Sequence, residues 1–563
     1  MTYQPDNPMI IQSDRTILLE VNNKKFEGAR DFLATFAQLV KSPEHVYTYR
    51  LSDISLYNAI AKGIKKEDIR VGLEKYTKFD IPHIIMEEID QAYYRYGQIT
   101  LLKYQNDYIL KFSAKDSFIE VSKYKPFQEH IKEFKRNEII IKSNSRGRVK
   151  QLLLKLGYPV EDLAGYVEGE EFSISFRDKT LEGEEFSLRK YQKEAIDAFY
   201  RKGDIRGGNG VIVLPCGAGK TVVAMGIMSN INEKTIILTT STVAVKQWKR
   251  ELIDKMDINE EDIGEYISAS KEIKPITITT YQMLTYRKEK SADFLHLDLF
   301  NSYNWGLIIY DEVHLLPAPV FRATVEVQST RRLGLTATLV REDGLETDVF
   351  SLIGPKRFDM PWQTLEEQGH IAPVKCYEVR IAMPEKLRLE YVSTRKRKKF
   401  RLASENVKKN EIVEKLLQKH KNDQVLIVGH YLNQLKKISK DFDLPIITGE
   451  TNINDRERLF CDFREGKIQA LVVSKVANFA IDLPEASVAI QISGTFGSRQ
   501  EEAQRLGRIL RPFGDEKQAH FYTLVSRDSV EQEYALNRQL FLTEQGYKYG
   551  IYSPGSPVLF SKV

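Results

Sequence analysis

The chain has 563 residues, 42% hydrophobic and 29% charged, a globular composition with material for three or four domains. Its 83 Lys and Arg against 78 Asp and Glu give a formal charge of +5, which permits a nucleic-acid partner without demanding one. The three scattered cysteines, Cys216, Cys376 and Cys461, form no CxxC pair, so a disulfide framework, a thiolate zinc site and an iron–sulfur cluster are all disfavoured. With no signal pattern in MTYQPDNPMI and no apolar run long enough to span a bilayer, a soluble cytoplasmic protein with no membrane partner is expected.

Taken in chain order, Ala29, Phe32, Leu33, Phe36, Ala37 and Val40 recur at helical spacing. Further helices are predicted over Leu56–Ile64, Ile69–Tyr76 and His83–Tyr94. Ile99–Tyr104 and Tyr108–Phe112 flank Gln105-Asn106-Asp107, a hairpin signal. Helices followed by a hairpin predict a winged-helix-like module or a small α+β docking domain. A second piece, from about Phe118 to Phe176, holds a short strand at Glu138–Lys142 and a basic helix at Arg146–Leu156.

From Leu188 the texture changes to short apolar strands alternating with amphipathic helices. Strands are predicted at Val211–Leu214, Thr235–Leu238, Ile276–Thr280, Leu307–Tyr310 and Arg332–Leu335. A second series begins near Lys375, with strands at Gln424–Val428, Pro445–Ile447, Ala470–Val473, Val488–Ile492 and His520–Val525. Two consecutive series predict an α/β fold of two tandem lobes on parallel sheets, with a cleft between them.

Three motifs carry chemistry. In Val211–Thr221, Gly217 and Gly219 let the backbone curl its N–H groups inward as a phosphate nest at a helix N-terminus. Lys220 can reach the β/γ-phosphates of ATP and the Thr221 hydroxyl can ligate Mg²⁺. The loop departs from the strict GxxxxGK[ST] pattern, because Leu214 occupies its first position and Pro215-Cys216 follow. Leu307–Tyr310 then runs into Asp311 and Glu312; Asp311 suits Mg²⁺, and Glu312 can take a proton from an attacking water. His314 is either a coupling residue or a plain surface histidine. Finally, Arg508 and Arg511 lie three apart on a predicted helix of the second series and are expected to reach the γ-phosphate as the lobes close.

At this point the sequence resembles the XPB-type DNA repair helicases of superfamily two, in their bacterial form. Leu188–Gln192 resembles the adenine-recognising Q motif, with Gln192 at the base-reading position beside Arg189. Segments around Thr240, Thr280, Thr336 and Thr338 resemble DNA-backbone and coupling motifs, and Arg341-Glu342-Asp343 resembles the family's strand-parting triplet. DEVHLLPAPVFR (Asp311–Arg322), SKVANFAIDLPEA (Ser474–Ala486) and GTFGSRQEEAQRLGRILRP (Gly494–Pro512) are also XPB-like, as are Lys41–Arg50 and Lys155–Glu170. The resemblance covers nearly the whole chain.

The resemblance implies two RecA-like lobes, at 181–373 and 374–546, the second with a short thumb-like insertion near 388–409. It implies an N-terminal module at 1–116 and a damage-recognition-like domain at 117–180, leaving a tail at 547–563. Arg189, Gln192, Pro215, Cys216, Gly217, Ala218, Gly219, Lys220 and Thr221 would bind ATP. His314, Ser474, Asp482 and Gln504 join the threonines and the triplet in DNA contact or coupling. The implied activity is ATP-dependent 3′→5′ DNA helicase or translocase action in repair, on single strands and forks or duplexes, with a nuclease as a plausible partner. Three other readings remain open. These are a double-strand translocase without processive unwinding, a damage-recognition ATPase switch, and an RNA helicase. The run Arg395–Arg401 is either a backbone contact or a solvated basic loop.

Overall fold

The computed structural model describes residues 3–42, 45–215, 217–287, 296, 299, 303–316, 320, 330–337, 346–370, 372–474, 486–494, 518–545 and 547–560. The chain divides into two compact units, residues 1–359 and Met360–Val563, with Lys41–Pro43 and Pro215–Ala218 grouped with the second.

The first unit opens on a sheet of β1 (Met9–Ile11), β2 (Thr16–Glu20), β3 (Gln38–Lys41) and β4 (Val46–Arg50), in the order β1-β2-β4-β3. Ile17 and Leu19 of β2 are buried at alternate positions, the period of a half-covered strand. The helical spacing predicted through Val40 stops at Ala34, the end of the helix Phe26–Ala34; Leu39 and Val40 belong to β3, where sheet pairing overrides local periodicity. Helices Asp53–Ala61, Lys66–Tyr76 and His83–Arg95 follow, the first capped reciprocally by Ser52 and Ser55.

The predicted hairpin forms as β5 (Ile99–Tyr104) and β6 (Asp107–Phe112), with Tyr104 opposite Asp107 and Gln105 at φ 53° in the turn. It is not a free wing. With β7 (Ile131–Lys135), β8 (Glu138–Ile141) and β9 (Val160–Asp162) it makes one sheet, ordered β7-β8-β6-β5-β9. The boundary expected between 116 and 117 therefore falls inside a sheet. The basic helix, Arg146–Lys155, buries Val149 and Leu153 against this sheet's core. Its Arg146 is buried too, 2.8 Å from Asp162 and over the Tyr108 ring. Beyond β9 the chain straps across the first lobe: Glu170 N–H donates to Asn304 O, Phe172 N–H to Asn232 O, and Arg177 N–H to Lys255 O. Part of the expected 117–180 domain thus lies along the lobe.

That lobe is a seven-stranded, wholly parallel sheet. Its strands are β10 (Asn209–Val213), β11 (Thr235–Thr239), β12 (Ile263–Tyr266), β13 (Ile276–Thr280), β14 (Leu307–Asp311), β15 (Arg331–Thr336) and β16 (Lys356–Asp359). They run in the order β12-β13-β11-β14-β15-β10-β16. Helices on both faces cover the sheet, so β11 is buried at every position, which explains its unbroken apolar run. Truncating Ile236 or Ile237 to Ala would cost about 2–5 kcal/mol.

The second unit repeats the plan with β17 (Val374–Ile381), β18 (Val425–Gly429), β19 (Ile446–Ile447), β20 (Ala470–Ser474), β21 (Val488–Gln491), β22 (Ala519–Ser526) and β23 (Tyr549–Tyr552). Their order is β19-β20-β18-β21-β22-β17-β23, again all parallel. Two helices, Glu385–Ser393 and Lys396–Ser404, occupy the expected thumb region. Phe400 is buried edge-on to Tyr534, so the second helix is anchored to the lobe rather than being a free basic loop. The expected tail from 547 is an integral edge instead, because β23 pairs with β17 and Leu559 enters the lobe's core.

A polar cluster lies beneath that edge. Asp423 and Tyr522 hold the two ring nitrogens of His420 at 2.8 and 2.9 Å, and the Tyr377 hydroxyl bonds His520 Nδ1 at 3.2 Å. Burial first, then the nearby His420, Lys419 and Lys375, push His520 down from 6.5 to about 4, with Asp423 opposing. As pH falls from about 6.5 to about 4, the unfolded chain takes up a proton that the folded chain refuses. Stability therefore drops across that window, and His520→Gln should flatten the dependence of the second lobe's unfolding midpoint between pH 7.5 and 5.

Candidate active site

The carboxyl edge of the first lobe's sheet gathers the predicted residues. The phosphate loop follows β10, Thr240 follows β11, Thr280 ends β13, Asp311 ends β14 and Thr336 ends β15. In parallel sheets this edge carries the ligand sites, because strand-to-helix turns converge there. Gly217 and Gly219 adopt φ of 81° and 76°, left-handed values that glycine takes without strain. Ala218 N–H closes the turn on Pro215 O, and Lys220 begins the helix Lys220–Ile231, with Thr221 beside it half-buried. A side chain at position 219 would stand 2.6 Å from Gln192 Nε2, so the Q-motif glutamine packs directly on the loop. Gln192 is itself fixed, accepting the Arg189 backbone N–H at 2.9 Å.

Lys220 Nζ lies 3.8 Å from Glu312 Oε1. Glu312 is held at φ 50°, a left-handed conformation unusual for a non-glycine residue and of the kind stored at functional sites. Its Oε2 is buried, 3.4 Å from His314 Nδ1, and accepts no hydrogen bond among the described residues. His314 is buried, with Nδ1 2.8 Å from Thr336 Oγ1, which removes the surface-histidine reading and links the turn after β14 to the end of β15. Asp311 is gripped by Trp248, which lies outside every motif, and by Tyr281, at the end of the segment around Thr280: Trp248 Nε1–H donates to its Oδ2, and the Tyr281 hydroxyl donates to its carbonyl, both at 2.9 Å. Burial, then the charge on Glu312, push the Asp311 carboxyl up to about 6, while the Trp248 donor and Lys220 oppose. Two partly buried carboxyls, one driven towards protonation and one with an oxygen to spare, have the chemistry to take a divalent cation and a water.

Trp248→Phe deletes one donor to Asp311 without emptying the site. It should lower ATP turnover about tenfold at pH 7, and less as the pH is raised, which steady-state kinetics across pH would check.

Thr280 serves locally, its hydroxyl capping the short helix that begins at Tyr281. Ser474 ends β20 in the second unit, buried, its Oγ without a hydrogen bond among the described residues. Cys216, Thr338, Arg341, Glu342, Asp343, Asp482, Gln504, Arg508 and Arg511 lie outside the described residues.

Comparison with known proteins agrees with this geometry. Three family models match: the ERCC3/RAD25/XPB C-terminal helicase over residues 365–557, the type III restriction enzyme res subunit over 185–341, and a helicase conserved C-terminal domain over 9–133. A relative from Kineococcus radiotolerans, named DNA 3′-5′ helicase XPB, is 48% identical over 97% of this chain and 96% of its own. One of the same name from Mycobacterium tuberculosis is 49% identical over 97% of both chains. The chain belongs to the XPB helicase family. The general transcription and DNA repair factor IIH subunit of Saccharomyces cerevisiae, XPB/SSL2, is 32% identical over 96% of this chain and 71% of its own. Membership covers both units, so the two parallel sheets are the RecA-like lobes of an XPB-type motor. Among the described residues no helix is long and apolar enough to cross a membrane.

Proposed function

We propose that this chain is an ATP-dependent DNA helicase of 3′→5′ polarity acting in DNA repair. The observation that carries the reading is the convergence of Lys220, Asp311, Glu312 and His314 at the carboxyl edge of one parallel sheet, in a chain 48% identical to a protein named for that activity. Lys220 neutralises the β/γ-phosphates of ATP, and the loop N–H groups between Gly217 and Lys220 cradle them. Thr221 and Asp311 are the proposed ligands for Mg²⁺, which when bound offsets phosphate charge. Glu312 accepts the proton of the attacking water, and Lys220 and His314 hold its carboxylate in place. Arg508 and Arg511 are proposed to complete phosphate charge stabilisation. Through Thr336, His314 relays the state of Glu312 to the segment that leads into Arg341-Glu342-Asp343, which is proposed to part the strands. DNA is the proposed partner; a nuclease as a second partner rests on the resemblance alone.

Binding to the sugar–phosphate backbone carries little sequence information and weakens steeply with salt. ATP turnover stimulated by DNA and by RNA of matched sequence tests the assignment. Stimulation at least about tenfold stronger with DNA is expected, falling between 50 and 200 mM salt. Equal stimulation by RNA would contradict it.

A further inference from the structure

The first unit holds a cavity of about 810 Å³ at the opposite end of its sheet from the phosphate loop. Its walls come from the starts of β10 and β16, the end of the helix Lys190–Tyr200, and the modules preceding the lobe. Lys62, Lys150, Arg201, Lys202, Arg206 and Arg357 line it, against only Glu161, Asp162 and Asp197.

Half of these cations have partners. Lys62 pairs with Asp359, Lys150 with Asp162 at 3.0 Å, and Arg206 with Glu161 at 2.7 Å. Arg146 also draws on Asp162. Arg201, Lys202 and Arg357 have no carboxylate within ion-pair distance among the described residues. Arg357 is held by backbone alone: its Nε–H donates to Asn209 O at 2.9 Å and its NH2 to Arg206 O at 2.6 Å, leaving further N–H groups to spare. Burial first, and then the like charge of Arg201, disfavour the charged form of Arg357, with Tyr96 opposing.

The backbone is shaped to bring these cations in. Arg201, Lys202 and Gly203 all adopt left-handed conformations, at φ of 49°, 55° and 79°. Glycine alone takes such values freely; two consecutive cationic residues there store strain, which clusters at ligand sites. The rings of Tyr96, Tyr166 and Phe350 also border the space. Its size falls in the range of small-molecule sites and is far below what a duplex needs.

We propose that this cavity binds a small ligand carrying two or more phosphates, of nucleotide size, with Arg357, Arg201 and Lys202 as its anion clamp. The phosphates could belong to a nucleotide or to inorganic oligophosphate; the aromatic rings would add a contact only for the former. A dianion between two guanidinium groups relieves their repulsion and takes up the spare donors of Arg357. The ligand would tie the N-terminal modules to the rear of the first lobe and so bias how freely they move.

Titration calorimetry on the full chain carrying Lys220→Ala, which disables the ATP loop, tests this with three probes: tripolyphosphate, ADP and a single-stranded oligonucleotide. Tripolyphosphate or ADP should bind with a stoichiometry near one. Adding Arg201→Gln with Lys202→Gln, both exposed, should weaken binding by at least about tenfold. Arg357→Met should do the same, with the thermal midpoint reporting whether the fold is kept; the exposed pair decides the matter if it is not. Tighter ADP than tripolyphosphate identifies a nucleotide site, and the reverse an oligophosphate site. Unchanged affinities in the Arg201/Lys202 variant, no binding by either probe, or an effect confined to the oligonucleotide would each overturn the proposal.

Discussion

Lys220→Ala should reduce DNA-stimulated ATP turnover by about 10²–10³-fold while leaving DNA affinity in the absence of nucleotide within about twofold. The first expectation follows from position. Lys220 is the first residue of a helix that starts at a left-handed glycine, its ammonium mostly buried and 3.8 Å from Glu312. In the proposed reading this cation faces charge that grows as the γ-phosphate leaves, and no described neighbour stands ready to replace it. Alanine also leaves Glu312 with an unbalanced charge beside Asp311, whose carboxyl burial already pushes up. The second expectation follows from the proposed reading, in which the strand's backbone is held over both lobes and not by this loop. Steady-state turnover together with nucleotide-free DNA titration separates the two quantities, and turnover within threefold of the parent would remove the loop from the account.

Glu531→Ala should destabilise the second lobe by about 3–5 kcal/mol. Glu531 and Lys409 form an ion pair at 2.7 Å that is wholly buried. Glu531 also accepts the Ser526 N–H at 2.8 Å, and Lys409 also donates to Ile492 O at 2.8 Å. Removing the carboxylate strands an ammonium that burial already drives towards neutrality, with Arg538 adding repulsion. The pair therefore fixes the backbone just past the end of β21. Lys409→Met combined with Glu531→Leu removes both charges at similar volume, and should recover most of the loss. Denaturant unfolding followed in the second lobe checks this. A double variant as unstable as the single one would mean that the pair's hydrogen bonds, and not its charge balance, hold the site.

What the sequence made legible, and what it hid, divides along physical lines. Central strands such as β11, β14, β18 and β20 are continuous apolar runs because both faces are covered, and such runs stand out unaided. The edge strands β16 and β23, written KRFD and YGIY, are only half-buried and carry no such mark. The small sheet at the start was missed for a related reason: β1 has three residues and β3 four, too few to show a period against the helix beside them. In the candidate site the loop and the Asp311-Glu312 pair were readable, because their chemistry demands fixed residue types at fixed spacing. Trp248 and Tyr281 were not, since an indole N–H or a phenol says nothing of its target until folding brings it to Asp311. His314 stayed ambiguous until its burial and its bond to Thr336 settled its surroundings.

The most direct test is strand separation on DNA forks that differ only in which tail is single-stranded. Opening of the 3′-tailed fork alone, dependent on hydrolysable ATP and lost with Glu312→Gln, is the predicted result. Opening of the 5′-tailed fork, or opening that survives Glu312→Gln, would contradict a 3′→5′ motor driven from the first lobe's carboxylates.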